Sequence, residues 1–274
     1  MNPFAVPSRT SFDLNFRLFG VPVRVHPLFW LSTLLLSGGG GRDPWLVVLW
    51  VVCCFVSILW HEFGHVVAMM WAGDRGDIVL HSFGGLAIPY RGCGGPTQQA
   101  VISAAGPVAG FLLAAVLWTG IAVGGGSVLV KFSSFGLPTF YPDVSFVMTA
   151  GHSQRAYFLA FYAAYYLLYI NIYWGLMNML PVYPLDGGQM TRALWERHDP
   201  ASGLRRSLQV SLVVAGLVAV SALTSNRMYQ MLLFGYLAYG SYQALQTYRP
   251  VRRVEPEESV RLAAVLTASA AAAE

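Results

Sequence analysis

The sequence predicts an all-α polytopic membrane protein of about six transmembrane helices, interrupted by a short re-entrant β-hairpin or loop. Three observations predict it. Of 274 residues, 55% are hydrophobic and only 11% charged, less than half the roughly 25% charge of a soluble domain, and the mean hydropathy is +0.53. The apolar residues gather into six segments, 26–41, 45–72, 99–123, 156–182, 207–223 and 228–247, against the roughly 20 residues a helix needs to cross a hydrocarbon core of about 30 Å. The connection 78–90, IVLHSFGGLAIPY, is too apolar for a plain loop. The same composition excludes intrinsic disorder, and three cysteines exclude a disulfide scaffold.

Taken in order, residues 1–25 form an N-terminal arm, polar from Ser8 to Asn15 and lacking the apolar run of a cleavable signal. The first apolar segment is short, opening at His26-Pro27 and running into Gly38–Gly41. The second and fourth exceed one bilayer thickness. Between the second and third, Ile78, Val79 and Leu80 read as strand and Gly84-Gly85 as a turn, and non-helical backbone at membrane depth must be buried or line a watery cavity. Residues 26–247 thus make a six-span domain with a core at about 45–190, and 248–274 a C-terminal tail. Thirteen of the seventeen basic residues fall on the side of the two termini, the loops 73–97 and 183–206; Arg42, Lys131, Arg155 and Arg227 fall opposite. The rule that basic residues stay inside makes both termini cytoplasmic. The net charge of +4 shows no clustered basic face, so no nucleic-acid partner is expected.

Within this apolar chain the second segment carries His61-Glu62-Phe63-Gly64-His65. On a helix the two imzidazole-bearing positions, i and i+4, share one face and can grip a zinc ion. Glu62, beside the first, can then serve as general base toward water. At this composition the pattern is expected by chance only about 0.003 times. His61 lies about 24 Å along a span starting near Trp45, close to the cytoplasmic face, and ionisable groups at such depth are functional by default. Catalytic zinc takes three protein ligands. Of thirteen acidic residues, only Glu62 and Asp186 sit in apolar sequence. Asp186 follows Pro181 and Pro184, which stop the fourth helix, and precedes Gly187-Gly188, which permits a tight turn; the carboxylate can fold back toward the histidines. A helix-capping role is the alternative. Asn171 and Asn178, seven apart, share a helix face and could bind substrate backbone and stabilise an oxyanion, or tie helices together.

His61-Glu62-x-x-His65 followed by Asn178-x-x-Pro181-x-x-Pro184-Leu185-Asp186-Gly187 resembles the site-2 protease family of intramembrane zinc metalloproteases. Phe83-Gly84-Gly85 resembles that family's glycine pair near the active site, and Gly106-Pro107-x-x-Gly110 its small-residue helix start, with Gly110 where many relatives carry Asn. The resemblance covers about residues 18–190. It implies one zinc per chain on His61, His65 and Asp186, with Glu62 activating water; Asn178, the asparagine nearer Asp186 in sequence, is the one expected to assist catalysis. Gly84, Gly85 and Asn171 would then bind substrate, the glycine segment by pairing with an unwound strand. It further implies cleavage of a membrane-anchored protein's transmembrane helix near the cytoplasmic face, in regulated intramembrane proteolysis; a compact six-span chain suits a bacterial inner membrane. The lipid bilayer is then a partner, and a regulatory membrane partner is left open. A non-proteolytic metal or proton transporter using the same buried cluster is the rival reading.

Overall fold

The computed structural model describes residues 6–37, 43–82, 84–92, 94–132 and 138–248. Phe83, Arg42, Cys93 and the tail beyond Tyr248 lie outside the described residues. Elements follow the order β1 (Leu14–Leu18), β2 (Val21–Val25), α1 (Pro27–Leu36), α2 (Pro44–Trp71), β3 (Gly76–His81), β4 (Gly84–Pro89), α3 (Pro96–Val123), β5 (Ser127–Phe132), β6 (Pro138–Asp143), α4 (Phe146–Thr149), α5 (Gln154–Asn178), α6 (Asp186–His198), α7 (Gly203–Thr224) and α8 (Met228–Thr247).

The helices begin where local chemistry starts them. Asp43 caps α2 by accepting from the Trp45 N–H, with Pro44 in the first turn; His26 caps α1 through Nδ1 ahead of Pro27; Ser153 accepts from Ala156 N at the start of α5. Among the described residues four helices, α2, α3, α5 and α7, are long and apolar enough to cross a membrane. The first and last apolar segments are helical but differ from these. The ten residues of α1 rise only about 15 Å. Helix α8 has twenty residues, diluted by Tyr229, Tyr236, Tyr239, Tyr242 and three glutamines.

The 78–90 segment forms an antiparallel pair, β3 with β4, in register His81↔Gly84 to Gly76↔Pro89. It belongs to a larger sheet of order β1-β2-β3-β4, in which β2 and β3 run parallel. Strands β1 and β2 come from the segment read as a polar arm. In β2, Val21, Val23 and Val25 are buried while Pro22 and Arg24 are only partly so. With Ile78 and Leu80 these valines pack on Ile58, Leu59 and Val66 of α2, which lays the sheet along that helix. A second hairpin, β5–β6, was not anticipated; it packs on α3 and α5 through Phe140, Ala114 and Leu168.

Helix α3 lies against α2, α5 and α6. Its approach to α2 is set by small residues: a Cβ on Gly64 would fall 2.6 Å from both the Ala105 carbonyl oxygen and the Ala109 Cβ. Trp60 Nε1 donates to the Ala109 carbonyl, 3.0 Å, across the same seam. Gly64→Ala should therefore lower stability by about 1–3 kcal/mol, the usual cost of overpacking. Thermal unfolding in detergent checks this; an unchanged midpoint would show that the seam yields.

Candidate metal centre

One turn of α2 presents His61 and His65 toward the start of α6. There Asp186 brings the cluster together: His61 Nε2 lies 3.0 Å from Asp186 Oδ2, His65 Nε2 3.3 Å from Asp186 Oδ1, and the two Nε2 atoms are 3.3 Å apart. One ligand atom from each residue falls within 4.8 Å of the others. Three ligands about 2.0–2.1 Å from a tetrahedral ion stand about 3.3 Å from one another, so the donor set and its spacing fit zinc. The His65 ring is oriented for that role: its Nδ1 donates to the Ile102 carbonyl at 2.7 Å, which leaves the Nε2 lone pair for a metal.

Two close approaches hold the cluster, and sequence reasoning saw neither. From the sequence Gly106 belongs to a small-residue helix start; in the structure it is interior to α3, and a Cβ there would stand 2.2 Å from His65 Nε2 and 2.7 Å from His61 Nε2. The missing side chain is the space the imidazoles occupy. Gly187 and Gly188 read as turn formers. Instead they lie in the first turn of α6, with a Cβ on Gly187 falling 2.3 Å from the Met179 carbonyl oxygen and one on Gly188 2.6 Å from Tyr183 N. Their task is close packing under the 179–185 loop. That loop follows the end of α5 at Asn178, includes a cis Tyr183–Pro184 bond, and is anchored by the Tyr183 N–H donating to Ser211 Oγ, 2.8 Å, on α7. Asp186 is thus both in the first turn of a helix and in the cluster. Arg192, its nearest basic neighbour in sequence, pairs with Glu196 at 2.7 Å instead.

Glu62 is buried on α2 beside β4. A Cβ on Gly85 would sit 2.2 Å from its Cγ and 2.6 Å from Oε1. Gly84 has φ +120, open to glycine alone, and abuts the Trp174 ring. The two asparagines separate. Asn178 lines the cavity at the cluster and donates to the Trp174 carbonyl, 3.0 Å. Asn171 Nδ2 donates to Ser57 Oγ, 2.8 Å, and to the Leu167 carbonyl, 2.9 Å, bridging α5 to α2. His81, at the end of β3, lines the cavity as well.

The cluster opens into a cavity of about 1950 Å³. Its wall includes Glu62, Gly84, Gly85 and Trp174, and it follows α8 from Arg227 to Thr247, a rise of about 30 Å.

A mostly helical, membrane-type fold around a buried His-His-Asp cluster with an adjacent glutamate defines the class, and the comparisons place it. The chain belongs to peptidase family M50, whose family model matches residues 49–220. It is similar to "Putative zinc metalloprotease Rip3" of Mycobacterium tuberculosis, 29% identical over 66% of this chain and 43% of that protein. It is also similar to "Zinc metalloprotease MJ0392" of Methanocaldococcus jannaschii, 24% identical over 75% of this chain and 54% of that protein. The chain thus spans about half the length of these relatives. Its fold matches the solved structure of a site-2 protease from Methanocaldococcus jannaschii, with TM-score 0.54 and 19% identity, over 89% of this chain and 100% of that one.

Proposed function

We propose that this chain is an intramembrane zinc metalloprotease that hydrolyses a peptide bond in the transmembrane helix of a membrane-anchored protein, near the cytoplasmic face. The carrying observation is the convergence of His61, His65 and Asp186 beside a buried glutamate, on the wall of a cavity about as long as a bilayer core is thick. His61, His65 and Asp186 would hold one zinc per chain. Bound there, zinc would supply Lewis acidity to the scissile carbonyl and to water. Glu62 takes a proton from the attacking water and returns it to the leaving amine. The Asn178 amide, at the cavity wall, donates toward the carbonyl oxygen as charge builds on it. Strand β4, an edge strand, receives the substrate at Gly84 and Gly85. An unwound helix exposes amides and carbonyls that must be met inside the bilayer, and strand pairing meets half of them. Of the two asparagines, Asn171 is assigned to holding α5 against α2, which keeps the substrate-facing side of α5 in place.

In the membrane, α1 and α8 complete six membrane elements, β3–β4 is the re-entrant hairpin, and the charge asymmetry sets both termini in the cytoplasm of a bacterial inner membrane. A metal or proton transporter is not favoured, since the chain belongs to a peptidase family.

The test is cleavage of a synthetic transmembrane peptide by the purified protein in detergent or proteoliposomes, run beside metal analysis. About one zinc per chain is expected, and Asp186→Ala should weaken zinc affinity by at least tenfold, since one of three protein ligands is lost. Unchanged occupancy under chelator competition would remove Asp186 from the ligand set.

A further inference from the structure

We infer that Trp174 binds the substrate, its indole N–H donating to a backbone carbonyl of the segment being cleaved; this rests on the protease reading above. Among the described residues, Trp174 Nε1 is the buried side-chain polar atom with no hydrogen-bond partner. An unmet buried donor costs about 1–3 kcal/mol, and such groups in native folds call for a specific explanation. Packing alone does not provide one, because phenylalanine would fill an apolar slot without the stranded N–H.

The position of the ring supplies the explanation. Trp174 lines the same cavity as the metal cluster. A Cβ on Gly84 would lie 2.6 Å from Trp174 Cζ2 and 3.9 Å from Cε2, the carbon that carries Nε1. The benzo edge of the indole, Cζ2 with Cη2 at 2.9 Å, therefore lies against the first residue of β4, and Nε1 lies on the far side of Cε2 from it. A strand's backbone groups alternate in direction, so a substrate strand paired on β4 has half of its carbonyls met there and half turned away. Trp174, which abuts Gly84 at the start of β4, holds an unused donor for one of those turned away. One turn further along α5 stands Asn178. Four helical residues rise about 6 Å, which is about two residues of extended chain. With Asn178 at the reacting carbonyl, Trp174 reads the carbonyl about two residues from the scissile bond.

The test uses the full-length zinc-loaded protein with Glu62→Gln, so that binding is read without turnover, and a fluorescent transmembrane peptide as probe. Adding Trp174→Phe should weaken binding about three- to tenfold, the range of one neutral hydrogen bond, with zinc content unchanged. Single carbonyls of the probe are then replaced by thioamides, which accept hydrogen bonds poorly. One position, about two residues from the cleaved bond, should weaken binding to the protein with Trp174 and have no effect on the Trp174→Phe form. Equal affinity of the two forms, or a thioamide penalty that persists at every position without the indole N–H, overturns the assignment. Should Trp174→Phe fail to fold or to hold zinc, benzothienylalanine at position 174 keeps the shape and removes only the N–H, and the same outcomes decide. A wild-type protein that binds the probe without ever cleaving it would count against the protease reading, while the thioamide cycle still judges Trp174.

Discussion

Glu62→Gln is expected to lower cleavage of a transmembrane reporter by about 10²–10⁴-fold, the usual contribution of a positioned acid–base group, while zinc content stays at that of the wild type. The amide is isosteric, so the packing against β4 should survive: Gly85 leaves room for the Glu62 side chain to within 2.2 Å of where a Cβ would stand. What is lost is the capacity to accept a proton. Among the described residues no other carboxylate is in a position to replace it. Asp186 is tied to both histidines, and Glu196, elsewhere on the cavity wall, is paired with Arg192. Paired measurements of cleavage rate and metal content decide the matter. Cleavage at the wild-type rate would remove Glu62 from the mechanism, whereas loss of zinc together with activity would make it structural.

Gly106→Ala should be nearly as damaging by a different route. The added methyl would stand 2.2 Å from His65 Nε2 and 2.7 Å from His61 Nε2, well inside contact distance, at the two nitrogens proposed to hold the metal. Neither side can give way cheaply. Gly106 is in the interior of α3, and the His65 ring is held at 2.7 Å by the Ile102 carbonyl one turn earlier on that helix. Zinc affinity is expected to fall by about a hundredfold, the upper range for disturbing the groups that orient metal ligands, and activity with it. Gly110→Ala is the control: one turn further along α3 a Cβ would meet only ordinary contacts, 3.4 Å from the Asn171 carbonyl oxygen and 3.5 Å from its Oδ1. Competition with a chromogenic chelator measures both variants. Equal zinc affinity of the alanine variant at 106 and the wild type would show that the helices separate more easily than their packing implies.

The two variants also divide what could be read in advance from what could not. His61, Glu62 and His65 were legible because a helix converts a spacing of four into one face, and because ionisable groups are conspicuous in apolar sequence. Asp186 was legible by elimination among thirteen acids. The stop at the end of α5 was legible from Pro181 and Pro184. Gly106 was not, since a glycine in a helix carries no mark of which neighbour needs its space. Nor was the unmet donor of Trp174, which is one of eight tryptophans and distinguished only by its surroundings. Strands β1 and β2 were hidden by their brevity: five residues each, ending in a polar edge that reads as an arm.

By itself, then, the sequence determined the apolar helices, the HExxH face and the break that frees Asp186, because each depends on periodicity, on proline stereochemistry or on the cost of burying charge. Only the tertiary structure decided which surfaces meet. Small residues on α3 let it approach α2 until Gly106 makes room for the imidazoles, and the loop 179–185, anchored on Ser211, delivers Asp186 to them. The sheet laid along α2 sets β4 against Glu62. Such contacts join residues more than thirty positions apart, such as His65 with Ile102 and His61 with Asp186, and no local pattern encodes a distance between two distant stretches of chain.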